Sequence, residues 1–279
     1  MRKSAKLMLL PVMALFITVS LQAQNYNLKY NYSKGKIYKY KSEFTGDFTQ
    51  QAMGQEMKMS NGGEMVTKFI VEDVDKEGNM IIIGSLDSGK VTTKNPMKDT
   101  TISLNNFADK KTRSFLAPNG KIFKNEAIET VKGGLEAMGI SQKQLFNFAR
   151  LPEKQVKVGD NWNTSDSDTL TMMGGKIVNT SNLIYTLTGK ENKQGHDCLK
   201  IDYAGDVKNA GSANAMGMEF FIEGSGKTNG TVYIDPKTGV MIAAEGLSNM
   251  EMTMATKGEQ SMIIPITQSV KMSQSLISE

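Results

Sequence analysis

Along most of the chain, apolar and polar residues alternate with a period of two, the pattern of strands that bury one face. The alternation is clear in Ile37 to Phe48, Met65 to Val74, Met80 to Leu86, Ile177 to Leu187 and Met262 to Met272. In the last run Ile264, Ile266, Gln268, Val270 and Met272 fall on one face, with Pro265, Thr267, Ser269 and Lys271 on the other. Between the runs lie Asp75-Lys-Glu-Gly78-Asn79, Ala117-Pro118-Asn119-Gly120, Asn192-Lys-Gln-Gly195 and Asp235-Pro236-Lys-Thr-Gly239. These clusters supply the Gly, Asn and Pro that hairpin turns require.

One stretch departs from that rhythm. Ile128, Val131, Leu135 and Met138 recur at helical spacing, and Gly139 ends the run. Ser141-Gln-Lys-Gln144 has the form of a capping box and opens a second short helix with Leu145, Phe146 and Phe148, stopped at Leu151-Pro152. The pattern therefore predicts a mainly β protein, an antiparallel curved sheet or half-barrel, with a helical hairpin over 125–150 between β units at 24–124 and 151–279. The two units echo each other. Gly35-Lys-Ile-Tyr38 matches Gly159-Asp-Asn-Trp162, and Ser114-Phe-Leu-Ala-Pro118-Asn-Gly120 matches Val232-Tyr-Ile-Asp-Pro236-Lys-Thr-Gly239. A duplicated unit would leave such matches, and generic hairpin chemistry could supply each one singly.

The first 23 residues read differently from the rest. Arg2, Lys3 and Lys6 precede an apolar run from Leu7 to Val19, which ends at Ser20-Leu21-Gln22-Ala23. A basic start, a short apolar core and a small residue before the cut are the parts of a secretory signal peptide. The run is too short to span a bilayer as a permanent helix. The expectation is an exported protein, periplasmic, outer-membrane-associated or extracellular, with no transmembrane anchor after cleavage and no lipidated cysteine at position 24.

Cleavage changes the charge balance. The chain has 33 basic and 29 acidic residues. Loss of Arg2, Lys3 and Lys6 leaves 30 against 29, a formal +1. That balance carries no electrostatic footprint for nucleic acid. The single cysteine, Cys198, excludes an internal disulfide framework.

Motifs that suggest chemistry are incomplete. Gly224-Ser-Gly226-Lys227-Thr228 ends like a phosphate-binding loop, but Phe221 stands where that loop needs a glycine, so it reads as a turn between strands. Asp73-Val-Asp75-Lys-Glu77-Gly78 opens like a calcium loop, but its twelfth position is Gly84 rather than Glu, and a tight hairpin turn fits better. Asp166-Ser-Asp168 is too short to close a calcium shell. His196 and Cys198 sit two apart without a nucleophile signature, and one His with one Cys falls short of a zinc site. The expectation is a non-enzymatic protein with no cofactor and no metal.

Methionine is the unusual component. Of 20, three lie in the first 23 residues, which leaves 17. Met57 and Met59, Met216 and Met218, and Met250, Met252 and Met254 alternate, so in strands they form stripes on one face. Three readings fit: ordinary core, an adaptable surface for a lipid or other hydrophobic ligand, and soft-metal capture by converging thioethers. The sequence points most usefully to those seven residues as a candidate ligand-binding set in a Met-lined concavity. The alternative is a structural or interaction module with an envelope protein partner and no small ligand.

In Gly35-Lys-Ile-Tyr38, in Leu151-Pro-Glu-Lys-Gln-Val-Lys-Val-Gly159-Asp-Asn-Trp162, and in Tyr233-Ile-Asp-Pro-Lys-Thr-Gly239 followed by Met250-Glu-Met252, the chain resembles an uncharacterised family of secreted Gram-negative envelope proteins of unknown function. The resemblance implies export and an envelope location but no activity. The predicted architecture is also similar to the half-barrel lipoprotein carriers of the periplasm, an analogy of form alone.

Overall fold

Twelve strands, joined edge to edge, account for most of the described chain. The computed structural model describes residues 24–52, 54–96, 98–108, 110–128, 146–172, 175–215, 218–256 and 262–279. The expected signal peptide, 1–23, lies outside them. The first six strands are β1 (Ile37–Ala52), β2 (Gln55–Val74), β3 (Met80–Lys94), β4 (Thr100–Ser103), β5 (Thr112–Leu116) and β6 (Ile122–Ala127). The rest are β7 (Asn161–Met172), β8 (Gly175–Lys193), β9 (His196–Ala215), β10 (Met218–Ile234), β11 (Met241–Thr256) and β12 (Ile263–Ser278). All are antiparallel in one sheet of order β6-β5-β3-β2-β1-β12-β11-β10-β9-β8-β7, with β4 paired to β3. The sheet is open, because β6 and β7 form its two edges and do not pair with each other. At its centre the first strand pairs with the last, from Lys39↔Ser278 to Gln50↔Ile266.

The helical hairpin expected over 125–150 is not supported. Asn125 to Ala127 belong to β6, and Phe146 to Arg150 are irregular, without helix. The intervening 129–145, with Val131, Leu135 and Met138, lie outside the described residues. Phe146 and Phe148 are both buried, and Asn147 between them is exposed. That two-residue alternation puts both rings against Phe69, at 5.4 and 6.0 Å between centroids. At Phe146 and Phe148 tertiary packing of the aromatics thus replaces the expected helical spacing; the capping box Ser141–Gln144 lies outside the described residues.

The core gathers at one end of the sheet. There Tyr38, Tyr40, Phe69, Leu187, Leu199, Ile201 and Val232 are buried on one face, called here the inner face. Two extended segments lie over them: 24–34, with Tyr26, Leu28, Tyr30 and Tyr32, and 146–156, with Phe146, Phe148, Leu151 and Val156. The segments are joined by reciprocal Tyr26–Val156 backbone bonds of 2.7 and 3.0 Å. On the outer face there, the apolar row Ile37–Ile70–Ile83 lies partly exposed beside ion pairs. Asp87 bonds both Lys68 (2.6 Å) and Lys39 (3.0 Å), which hold its carboxyl below the usual range, Lys68 most strongly.

The two halves carry the same local arrangement. Gly35 donates to the Val71 carbonyl (2.9 Å) as Gly159 donates to that of Leu187 (2.8 Å). Val71 returns a bond to Lys36 (3.3 Å), and Leu187 returns one to Asp160 (3.0 Å). Both glycines have positive φ, 81° and 97°, which a side chain would strain. Three residues on, Tyr38 stacks on Phe69 and Trp162 on Tyr185, with centroids 5.4 and 5.7 Å apart.

Strands run further than the alternation implied. β1 continues to Ala52 and β2 begins at Gln55, ten residues before Met65. Gly224–Thr228, expected as a turn, lies inside β10. The reason is that neighbouring strands pair these positions on both sides. A Cβ at Gly226 would strike the Asn249 carbonyl and one at Gly205 the Asn182 carbonyl, so only hydrogen fits. Glycines of this kind let a sheet bend.

Candidate functional site

Away from the core, the inner face carries the methionines. Directly paired residues of an antiparallel ladder share a face, so register alone groups them. One row reads Asn209–Gly224–Met252–Ile266–Gln50–Met57. Beside it runs Val207–Gly226–Met250–Gln268–Phe48–Met59. A third is Gly211–Ile222–Met254–Ile264. From β9 to β2 these rows hold no charged residue. At the β7 edge Asp166 and Asp168 continue two of them, opposite Ser181 and Asn179.

Five expected site residues are thereby brought to one face: Met57, Met59, Met250, Met252 and Met254. Two strands, β12 and β1, separate the β11 group from the β2 group, about 14 Å at usual strand spacing. Ile266, Gln50, Phe48 and Gln268 fill the interval. Met218 pairs with Ala215 at the start of β10, on the same register face as Ile222. Met216 lies outside the described residues.

None of these five methionines is core. Met57 is 37% exposed and the other four are half-buried, whereas Met80 and Met241, packed in the core, keep only 1% and 2% of their surface. The half-burial has a local cause. Met252 lies flat over Gly224, where a Cβ would collide with its side chain, and Phe44 covers Gly63 in the same way. Glycine on one strand thus lets a long side chain of the next lie along the sheet. The one polar contact shown for a stripe methionine is Asn209 Nδ2 to Met250 Sδ at 3.9 Å.

Residues that sequence reasoning missed are Phe48, Ile222 and the glycines Gly224 and Gly226. The available signal was the in-register alternation Ile222-x-Gly224-x-Gly226, hidden by its likeness to a nucleotide loop.

Two clefts lie elsewhere, at the core end. One of about 690 Å³ is lined by Gln24, Tyr26, Lys190, Glu191 and Asp235. The other, about 730 Å³, is lined by Arg150, Glu153, Trp162 and Thr164. Neither includes a stripe methionine. In the first, Gln24 Oε1 accepts from Tyr26 (2.8 Å) and Lys190 (3.2 Å).

His196 Nδ1 stands 3.5 Å from Asp235 Oδ2 at the β8–β9 turn. Asp235 in turn accepts from the Lys237 N–H at 2.8 Å and fixes the next hairpin. Cys198 is buried, and desolvation with nearby Asp235 pushes its thiol up to about 11, so it stays protonated at neutral pH. Asp75 caps its own turn, accepting from Glu77 N–H (2.9 Å) and Asn79 N–H (2.8 Å), as a tight hairpin requires. Among the described residues, no group of three or more His, Cys, Asp or Glu could hold a metal ion. Nor is any helix among them long and apolar enough to cross a membrane.

A family model described as a family of unknown function, DUF6263, matches residues 124–241, less than half of the chain. The match runs from within β6 to Met241, the first residue of β11, and so stops before Met250, Met252 and Met254. A search of curated proteins finds no match.

Proposed function

We propose that this is an exported, non-enzymatic protein of the cell envelope that binds a lipid or other hydrophobic molecule along its Met-lined inner face. One observation carries the reading. Met57, Met59, Met250, Met252 and Met254 share an uncharged face with Phe48 and Ile266, yet all five keep part of their surface open. Ordinary core methionine would resemble Met80 instead. Burying acyl surface there would yield about 25 cal/mol per Å², and flexible thioethers repack around differing chains. The protonated Cys198 thiol and the turn-bound His196–Asp235 contact support a non-catalytic role. The basic and apolar start of the chain supports export.

The test is native mass spectrometry of the mature protein purified from its own envelope, followed by solvent extraction. A bound lipid-sized mass that is lost in Met252→Glu, with the fold intact by circular dichroism, is the expected result. A protein that is empty, and stays empty after incubation with envelope lipids, rejects the reading.

An interaction module is the second reading, favoured by β7, a twelve-residue edge strand with one open side. Asp166 and Asp168 weigh against simple strand addition there, since charges turned onto the buried-type face of an edge discourage pairing.

A further inference from the structure

Between the core and the methionine rows, the inner face carries a polar band. Its first row reads Tyr203–Gly230–Gly246–Met272–Phe44–Gly63, directly beyond the buried Ile201 and Val232. The next runs from Thr164 on β7 through Gly205, Thr228 and Ser248 to Gly46 and Asn61 on β2. The rows of Met250 and Met252 follow.

Tyr203 does not stand up from the sheet. It lies flat across it, since a Cβ at Gly230 or at Gly246 would strike its hydroxyl. Two bare glycines on successive strands thus let the phenol reach from β9 to β11, where Gly246 is two residues from Ser248. The ring sits 5.6 Å from that of Tyr185, and burial raises the phenol above its ordinary value, so it remains a donor. Among the described residues, neither the Tyr203 nor the Ser248 hydroxyl has a hydrogen-bond partner. Thr228 Oγ1 donates to the Leu247 carbonyl at 3.2 Å and keeps its acceptor sites. At the two ends of the same row, Thr164 Oγ1 and Asn61 Oδ1 are buried without a partner. Buried polar atoms are normally satisfied, so a row of open ones marks a place where another molecule supplies the bond.

From this we propose that the band seats the uncharged, hydroxyl-bearing head of a lipid of the monoacylglycerol type. Tyr203 and Ser248 bond the head, and the acyl chain lies on the methionine rows. The inference rests on the ligand-binding reading and names the class of lipid. Polarity decides that class. A head with O–H groups and oxygen acceptors matches a band with donors at Tyr203 and Ser248 and acceptors at Thr228 and Asn61. A carboxylate or phosphate taken out of water needs a cation or several donors, and the described residues of these two rows carry no charge. Arg150, which reaches β7, is already paired with Asp166 at 3.5 Å. Length agrees as well. Gly246 and Met252 are six residues apart on β11, about 20 Å at the usual strand rise, which an extended long acyl chain spans.

The experiment is equilibrium binding of monooleoylglycerol, oleate and hexadecane to the mature protein in mild alkali, where oleate is ionised. Monooleoylglycerol should bind more tightly than oleate. Tyr203→Phe and Ser248→Ala should each weaken monooleoylglycerol by roughly fivefold, the effect of one lost hydrogen bond, and leave hexadecane unchanged. Each removes an oxygen without a partner among the described residues, so the urea midpoint should stay where it is. Met252→Glu lies under the chain and should weaken all three. If wild type and both variants bind monooleoylglycerol equally, or wild type prefers oleate, the proposal is overturned, while hexadecane binding leaves the broader ligand reading standing. A wild-type protein that binds none of the three rejects both.

Discussion

The Tyr32 hydroxyl lies 2.9 Å from that of Tyr40, and the donor of this bond is fixed by what surrounds it. Tyr40 donates to the Met241 carbonyl at 2.7 Å, so Tyr32 must donate to Tyr40, while Tyr32 accepts from the Met241 N–H at 3.4 Å. The closed circuit ties the 24–34 segment, β1 and the start of β11 together inside the core.

Tyr40→Phe breaks that circuit at two points, depriving the Met241 carbonyl of its tyrosine donor and the Tyr32 hydroxyl of its acceptor in the core. The expected cost is about 1–3 kcal/mol. It is read as a lower urea midpoint with an unchanged m-value.

The same cluster predicts loss of stability in alkali. Burial raises Tyr30, Tyr32 and Tyr40 well above the ordinary tyrosine value, desolvation being the main cause in each. Ionisation is therefore easier in the unfolded chain, which releases these protons near pH 10 while the folded protein holds them. Stability is full below that pH and falls above it, by about 1.4 kcal/mol per pH unit for each tyrosine. Urea melts between pH 8 and pH 11 check this, and Tyr40→Phe should reduce the slope by one proton.

Trp162 reports on cooperativity. It stacks on Tyr185 in the second half, while β1 of the first half is sealed to β12 of the second along its length. Separate melting would require that central seam to open in water with all its backbone groups exposed. Tryptophan fluorescence and far-ultraviolet circular dichroism should therefore trace one coincident transition. Two separated transitions would show that the halves fold independently.

The fold was legible where side chains are large. Tyr38 and Tyr40, Ile82 and Leu86, or Leu187 beside Gly195, announce alternation and turn at once. It was not legible in Asn61-Gly62-Gly63 or along Ala204 to Ala215, where Gly, Ala, Ser and Asn dilute the pattern. Those stretches are strand because both neighbours pair with them. The methionine stripes were legible as stripes. What the sequence withheld was their common face, which depends on how β12 and β1 come to lie between β11 and β2. It also withheld the glycines beneath the methionines, whose meaning lies in a neighbouring strand.

Gly226→Ala tests the close approach between strands. The added methyl would meet the Asn249 carbonyl and the Met250 backbone, neither of which can swing away as a flexible side chain could. Strand separation or a local shift should cost about 1–3 kcal/mol. Gly189→Ala serves as the control: it is also in a strand but nothing stands within 4 Å of its Cβ, so its effect should be smaller. Equal effects in the two variants would mean that the sheet is not bent tightly at Gly226.

Oxidation distinguishes open methionines from core methionines in a single experiment. Hydrogen peroxide transfers one oxygen to a thioether, giving the sulfoxide and water, and the rate follows access to the sulfur. Among the stripe methionines Met57, with over a third of its surface open, should react first, and Met59, Met250, Met252 and Met254 next. Met80 and Met241 should resist until the protein unfolds. Peptide mapping by mass spectrometry over a peroxide time course gives the order directly. A saturating fatty acid should slow the stripe methionines and leave the rate of an outer-face reporter, such as iodination of a surface tyrosine variant at Thr45→Tyr, unchanged. If the stripe methionines are as slow as Met80 without any ligand, they are core after all, and the inner face is closed.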